Sequence, residues 1–190
     1  MQHTRLKQLH INIVKNCNYH LQALRHIHPS ITKEVANNMT CAVTGSRLDY
    51  CNSIFYKMSD KNFNKLQRIQ NHAAQIVCGV SRRQQNAQQL CHNLHWLPVY
   101  SRTDFKLATL CFKSHIIRKP NYLAVTLDWH EPSHSLQSST QHLLSEPFCN
   151  TVLGKRCFSV AAPLVSLDHR TANSLPAFKK NFYFLIPPGL

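Results

Sequence analysis

The stretch from Ser59 to Gly79 constrains this chain more than any other part of it. Phe63, Leu66, Ile69, Ala73, Ile76 and Val77 recur at three- and four-residue steps, the spacing that gathers side chains on one face of an α-helix. Ser59 or Asp60 stands where such a helix is capped, and Gly79 stands where it ends. Opposite the apolar face, Lys61, Lys65, Arg68 and His72 fall in one narrow stripe, given about 100° of rotation per residue. This segment predicts a helix with one side packed and the other positively charged.

The remaining sequence favours the same element. Four glycines against nine prolines argue against a glycine-rich phosphate loop or a long sheet meander, both of which need several positive backbone torsions. Leu6, Leu9, Ile13, Cys17, Leu24 and Ile27 predict a first helix that His28-Pro29 ends. Ser30 is the expected cap of a second, with Ile31, Val35, Met39, Ala42 and Val43 at helical spacing and a break at Gly45. Ala87, Leu90, Cys91 and Leu94 predict a short fourth helix ending near His95-Trp96. Pro98 opens a fifth, expected to be the most buried: Phe105, Ala108, Phe112 and Ile116 make one apolar side, and Leu107, Leu110 and Cys111 make another.

Pro120 closes the helical part. Residues 129–147, rich in Ser, His and Gln, read as a mobile loop. Phe148 to Val152 and Cys157 to Ala161 flank Gly154-Lys155-Arg156, and are expected to pair as a small β-hairpin within residues 148–162. A last amphipathic stretch runs from Phe178 to Ile186. The expected fold class is mainly α, with five to six amphipathic helices and that hairpin, arranged as segments 1–28, 30–128, 129–147 and 148–190.

Charge narrows the function. With 22 Lys and Arg against 8 Asp and Glu the formal net charge is +14, a balance that seeks a polyanion. Charge alone does not choose among nucleic acid, an anionic membrane surface and an acidic protein. Gln2, Lys7, Asn12, Lys15 and Asn18 interrupt the opening residues, so neither a signal peptide nor a membrane span is predicted. The chain reads as intracellular, in nucleus or cytoplasm, and not secreted. Its eight cysteines sit mostly inside helical apolar patterns and read as free buried thiols.

Catalysis is not expected of this chain. Two-metal nucleotidyl transfer needs clustered carboxylates holding cations about 4 Å apart, whereas the acids here are scattered from Glu34 to Asp168. Gly-x-Ser-x-Gly, His-Glu-x-x-His and phosphate-loop motifs do not occur. Cys91, His92 and His95 could offer zinc ligands from one turn. A structural zinc, however, is usually marked by doublets such as Cys-x-x-Cys, and the sequence has none. No metal or cofactor is expected; His92 is read as facing water, with His95 and Trp96 at a helix junction. The candidate site is cationic: Lys57, Lys61, Lys65, Arg68, Arg82, Arg83, Arg102 and Lys106, touching RNA or DNA backbone without base specificity. The competing reading is the solvated face that any amphipathic helix carries.

Several strings occur in a telling order. They are Ser46-Arg47-Leu48-Asp49-Tyr50-Cys51-Asn52-Ser53, then Lys65-Leu66-Gln67-Arg68-Ile69-Gln70-Asn71-His72-Ala73-Ala74, then Leu94-His95-Trp96-Leu97-Pro98-Val99. Phe105-Lys106, Ser135-Leu136-Gln137-Ser138-Ser139 and Phe158-Ser159-Val160-Ala161-Ala162-Pro163 follow. Together they resemble the region after the polymerase palm in non-LTR retrotransposon reverse transcriptases of the CR1, L2 and jockey-like groups, over almost the whole chain.

The resemblance implies that residues 1–28 form a thumb-like helix, 30–128 a helical post-palm domain, and 148–190 a hairpin with a terminal-helix appendage. It also implies that the palm and endonuclease of an RNA-directed DNA polymerase would lie upstream of Met1. Expected partners are RNA or DNA backbone, and either a palm in trans or a second copy of the chain meeting the apolar face of the first helix. After Pro163 the family's Lys-Leu-Trp-Asn-Ser-Leu-Pro is replaced by Leu164 to Ala172 before Asn173-Ser174-Leu175-Pro176. The lost tryptophan suggests a truncated or decaying copy, so a helical interaction module or a relic is the alternative reading.

Overall fold

The computed structural model describes residues 2–81, 86–129 and 144–166, and this part is mainly helical. Helix α1 (Gln2–Ile27) gives way at Pro29 to a 3₁₀ turn, His28–Ser30. Ser30 lies inside that turn, so the cap of α2 (Lys33–Thr40) falls two residues later, where Thr32 Oγ1 accepts from Val35 N at 3.3 Å. At Gly45 the chain stays helical: the turn widens into a π segment, Cys41–Gly45, that absorbs the irregularity and leads into α3 (Ser46–Asp49).

Helix α4 (Asp60–Val77) follows its sequence pattern. Phe63, Leu66, Ile69, Ala73, Ile76 and Val77 are buried, Ser59 occupies the N-cap position, and Gly79 leaves the helix with φ +65. Asn86 caps α5 (Ala87–Asn93) by accepting from Gln88 N, and Pro98 O accepts the first backbone bond of α6 (Val99–Phe112). Of α6, expected to be the most buried helix, only Tyr100 and Lys106 are exposed, but the helix Phe158–Ser166 exposes none of its described side chains, and Ile116 of the expected apolar side lies beyond α6 and is exposed. A second π segment, Lys113–Ile117, and short α7 (Asn121–Ala124) follow.

The expected β-hairpin is absent. Gly154–Arg156 is a 3₁₀ turn and Phe158–Ser166 is helix α8; among the described residues the one bridge joins Trp129 to Leu144. Four successive residues, Val160 to Pro163, are buried. A strand sends neighbours to opposite faces, so a half-exposed hairpin could not bury all four, whereas the small Ala161 and Ala162 let a helix lie close against its support. The loop expected at 129–147 is drawn together at its ends by Ser145 N donating to Asp128 O at 2.8 Å. Residues 130–143, Arg82 and Arg83, and the stretch Phe178 to Ile186 lie outside the described residues.

The chain divides into two units. Described residues of the first are 2–52, 58–81 and 86–102; of the second, 53–57, 103–129 and 144–166. In the first, α1 packs along α4 and buries Ile13, Cys17, Leu21 and Leu24, and α5 closes on α4 through Ala74, Leu90 and Cys91 with Trp96 beside them. In the second, Tyr56, Leu107, Cys111, Leu127, Ala161 and Ala162 form the core, with Leu144, Phe158 and Val165 against it.

Candidate nucleic-acid interface

Two histidines fix how α4 is presented. His10 Nε2 donates to Asn62 O at 3.1 Å near the start of α4, and His28 Nε2 to Val77 O at 3.4 Å at its end, so α1 and α4 run in the same direction. His10 is buried. Burial lowers its pKa from 6.5; the hydrogen bond to Asn62 O opposes that shift and the charge of Lys65 adds to it. This places Lys65 beside the seam between the two helices.

With its apolar side turned to α1 and α5, α4 leaves Lys61, Lys65 and Arg68 in water. They stand four and three residues apart and span ~10 Å of helix axis, about three phosphates of one strand. Among the described residues none of the three is ion-paired, and the first unit holds only three acids, Glu34, Asp49 and Asp60. His72, fourth in the sequence stripe, is half-buried.

Arg102 differs from the other candidates. Its Nη1 donates to both carboxylate oxygens of Asp49 at 2.9 Å, its Nε to Leu97 O at 3.0 Å, and its own carbonyl accepts from Asn52 Nδ2 at 3.4 Å. It therefore ties the end of α3 to the start of α6, a bond between residues far apart in sequence that no local pattern announces. Lys57 and Lys106 are exposed and belong to the second unit, and Lys57 holds its ammonium 5.5 Å from the Tyr56 ring. The structure thus gathers Lys61, Lys65 and Arg68 on one face and engages Arg102 elsewhere.

Other candidate chemistry is held apart. Cys91 is buried, and burial pushes its thiol up to about 11, Arg102 opposing and Cys78 adding; His92 and His95 face solvent. Among the described residues no three His, Cys, Asp or Glu side chains come close enough to hold a metal ion. Cys17 is also buried and raised to about 11 by burial, with Arg47 opposing. All described cysteines are free thiols, yet Cys41, Cys51 and Cys157 are exposed, so burial accounts for only some of them. A hollow of about 10 Å³ beside the π segment, lined by Thr44, Gly45, Gln70 and Arg102 among others, has room for about one water.

Among the described residues no helix is long and apolar enough to cross a membrane. No family model, curated protein or solved structure matches the chain.

Proposed function

We propose that this chain binds RNA or DNA non-specifically through the phosphate backbone, with Lys61, Lys65 and Arg68 of α4 as its principal contacts. The observation that carries the reading is that exposed row of cations along α4, without an ion pair among the described residues, in a chain of net charge +14. Arg82, Arg83, Lys57 and Lys106 add positive charge elsewhere in the chain. The ordered strings shared with the post-palm region of non-LTR retrotransposon reverse transcriptases support the same partner. On that reading the chain is a carboxy-terminal fragment of such an enzyme, residing in nucleus or cytoplasm, that holds template or nascent duplex and performs no polymerisation itself.

Titration against fluorescent duplex DNA and RNA at several salt concentrations tests this. Replacing Lys61, Lys65 and Arg68 by Ala is expected to weaken binding and to reduce the slope of log K against log salt by about 2.7, if each cation releases one counterion. A slope unchanged by the triple replacement, or binding indifferent to salt, removes α4 as the contact surface.

A second reading is self-association. Much of the apolar face of α1 is covered by its own chain, since Ile13, Cys17, Leu21 and Leu24 are buried, although Ile27 is exposed. The second unit, however, exposes Ile116, Ile117, Tyr122 and Val125 around α7. Sedimentation showing dimers that Tyr122→Ser and Val125→Ser dissolve would favour it.

A further inference from the structure

Phe148, at 88% exposure, is the most exposed large hydrophobic residue described. It stands at the start of a turn held from several sides. Gly154 N donates to Thr151 Oγ1 at 3.0 Å, Lys155 N to Thr151 O at 3.1 Å, and Cys157 N to Gly154 O at 2.9 Å. A Cβ at Gly154 would run into Cys149 Sγ and Thr151 Oγ1, so a larger residue there would have to push both side chains aside. Arg156 Nη2 then reaches across to Lys57 O at 3.4 Å, joining the turn to the segment that carries Lys57.

Between these parts lies an open hollow of about 370 Å³ within the second unit. Lys57 and Lys155 line it together with Phe148, Val160 and Leu164, and Glu146 stands at the same wall. Among the described residues neither lysine is ion-paired. Apolar lining, two ammonium groups and a bare aromatic face make a site of mixed character, within the size range of small-molecule pockets.

We propose that this hollow takes one unpaired nucleotide of a polynucleotide strand, its base stacked on Phe148 and its flanking phosphates against Lys57 and Lys155. Stacking on an exposed ring is available to any base but only where the base is free of a duplex. Glu146 adds an acceptor suited to a base N–H or a sugar hydroxyl and repels phosphate from its own side. An acidic peptide would meet the two lysines but would leave the Phe148 face without a partner. The site thus distinguishes single strands from duplex, which the α4 row does not. It rests on residues of the second unit alone, independently of α4.

The experiment compares the intact chain with Phe148→Ala and with Lys57→Gln/Lys155→Gln, by fluorescence anisotropy. The probes are an oligothymidylate of about 12 nucleotides, an abasic strand of equal charge, and a duplex of the same length. Phe148→Ala is expected to weaken oligothymidylate binding about tenfold while leaving the abasic strand and the duplex within about twofold. The double lysine change weakens both single strands. Because Phe148 is exposed, its replacement should leave the circular dichroism unchanged. Oligothymidylate binding unaffected by Phe148→Ala, or an equal loss for the abasic strand, overturns the stacking site. Thymidine monophosphate displacing the strand at micromolar concentration overturns the assignment to a strand in favour of a free nucleotide. The α4 proposal is judged on the duplex, so either can fall without the other.

Discussion

The first unit buries a base and the second half-buries an acid. His10 sits in the first unit with its pKa lowered by burial, and Asp104 in the second with its carboxyl raised by burial to about 6 from an ordinary 3.8. As pH falls below 6.5 the unfolded chain protonates His10 before the folded one does, so the stability that depends on a neutral ring is present above that pH and lost below it. For Asp104 the sign reverses: its contribution is full below 3.8 and lost as pH rises through about 6. Mild acid therefore loosens the first unit and tightens the second.

Polar side chains also tie the first unit together. The first unit uses His10, His28, Gln70 and Arg102 to join backbones of different elements, Gln70 Nε2 reaching Leu97 O at 2.7 Å. Among the described residues both units leave buried side-chain atoms without partners, Asn52 Oδ1 and Gln70 Oε1 in the first and Asp104 Oδ1, Thr109 Oγ1, Ser114 Oγ and Arg156 Nε in the second, an arrangement that costs stability. Trp96 lies in the first unit and Trp129 in the second, and the chain has no other tryptophan, so each unit carries its own fluorophore.

Four measurements break or sharpen this comparison. Leu66, fully buried in α4, should cost about 3 kcal/mol when changed to Ala, read from urea unfolding of a Trp129→Phe chain by Trp96 emission. A loss below about 1 kcal/mol would mean that the α1–α4 seam is not the first unit's core. Asp104→Asn should stabilise the second unit by about 1–2 kcal/mol at pH 7, discounted for partial exposure, and by almost nothing at pH 4. An equal gain at both pH values would detach the effect from ionisation.

Gly79→Ala should cost about 1 kcal/mol, since φ is +65 and the new Cβ would stand 3.3 Å from His28 Cε1; no change would show that the turn relaxes freely. Finally, His10→Gln should flatten the loss of first-unit stability between pH 7 and pH 5, followed by Trp96 emission. An unaltered pH slope would place the titrating group elsewhere.

Legibility followed the length of the pattern. Helices α1 and α4 have enough turns for a period near 3.6 to stand out, and their ends at Pro29 and Gly79 follow from local backbone restriction. The run from Cys157 to Ala161 is too short to show a period, and what favours helix is that the neighbours Ala161 and Ala162 both enter the cluster of Leu107, Cys111 and Leu127. In the candidate site, Lys61, Lys65 and Arg68 could be placed on one face by rotation alone. Arg102 was read as equivalent to them, because its engagement depends on Asp49, which the sequence leaves far away.

The sequence by itself determined that this chain is mainly helical and strongly basic, and which flank of α4 is charged, because periodicity and charge are properties of neighbours. Only the folded chain shows which of the described cations stay unpaired, that His10 is buried and Asp104 half-buried, and that Phe148 stands bare beside Lys57 and Lys155. Exposure and partnership depend on segments brought together across the chain, and the free energy that sets them comes from packing that no local pattern encodes.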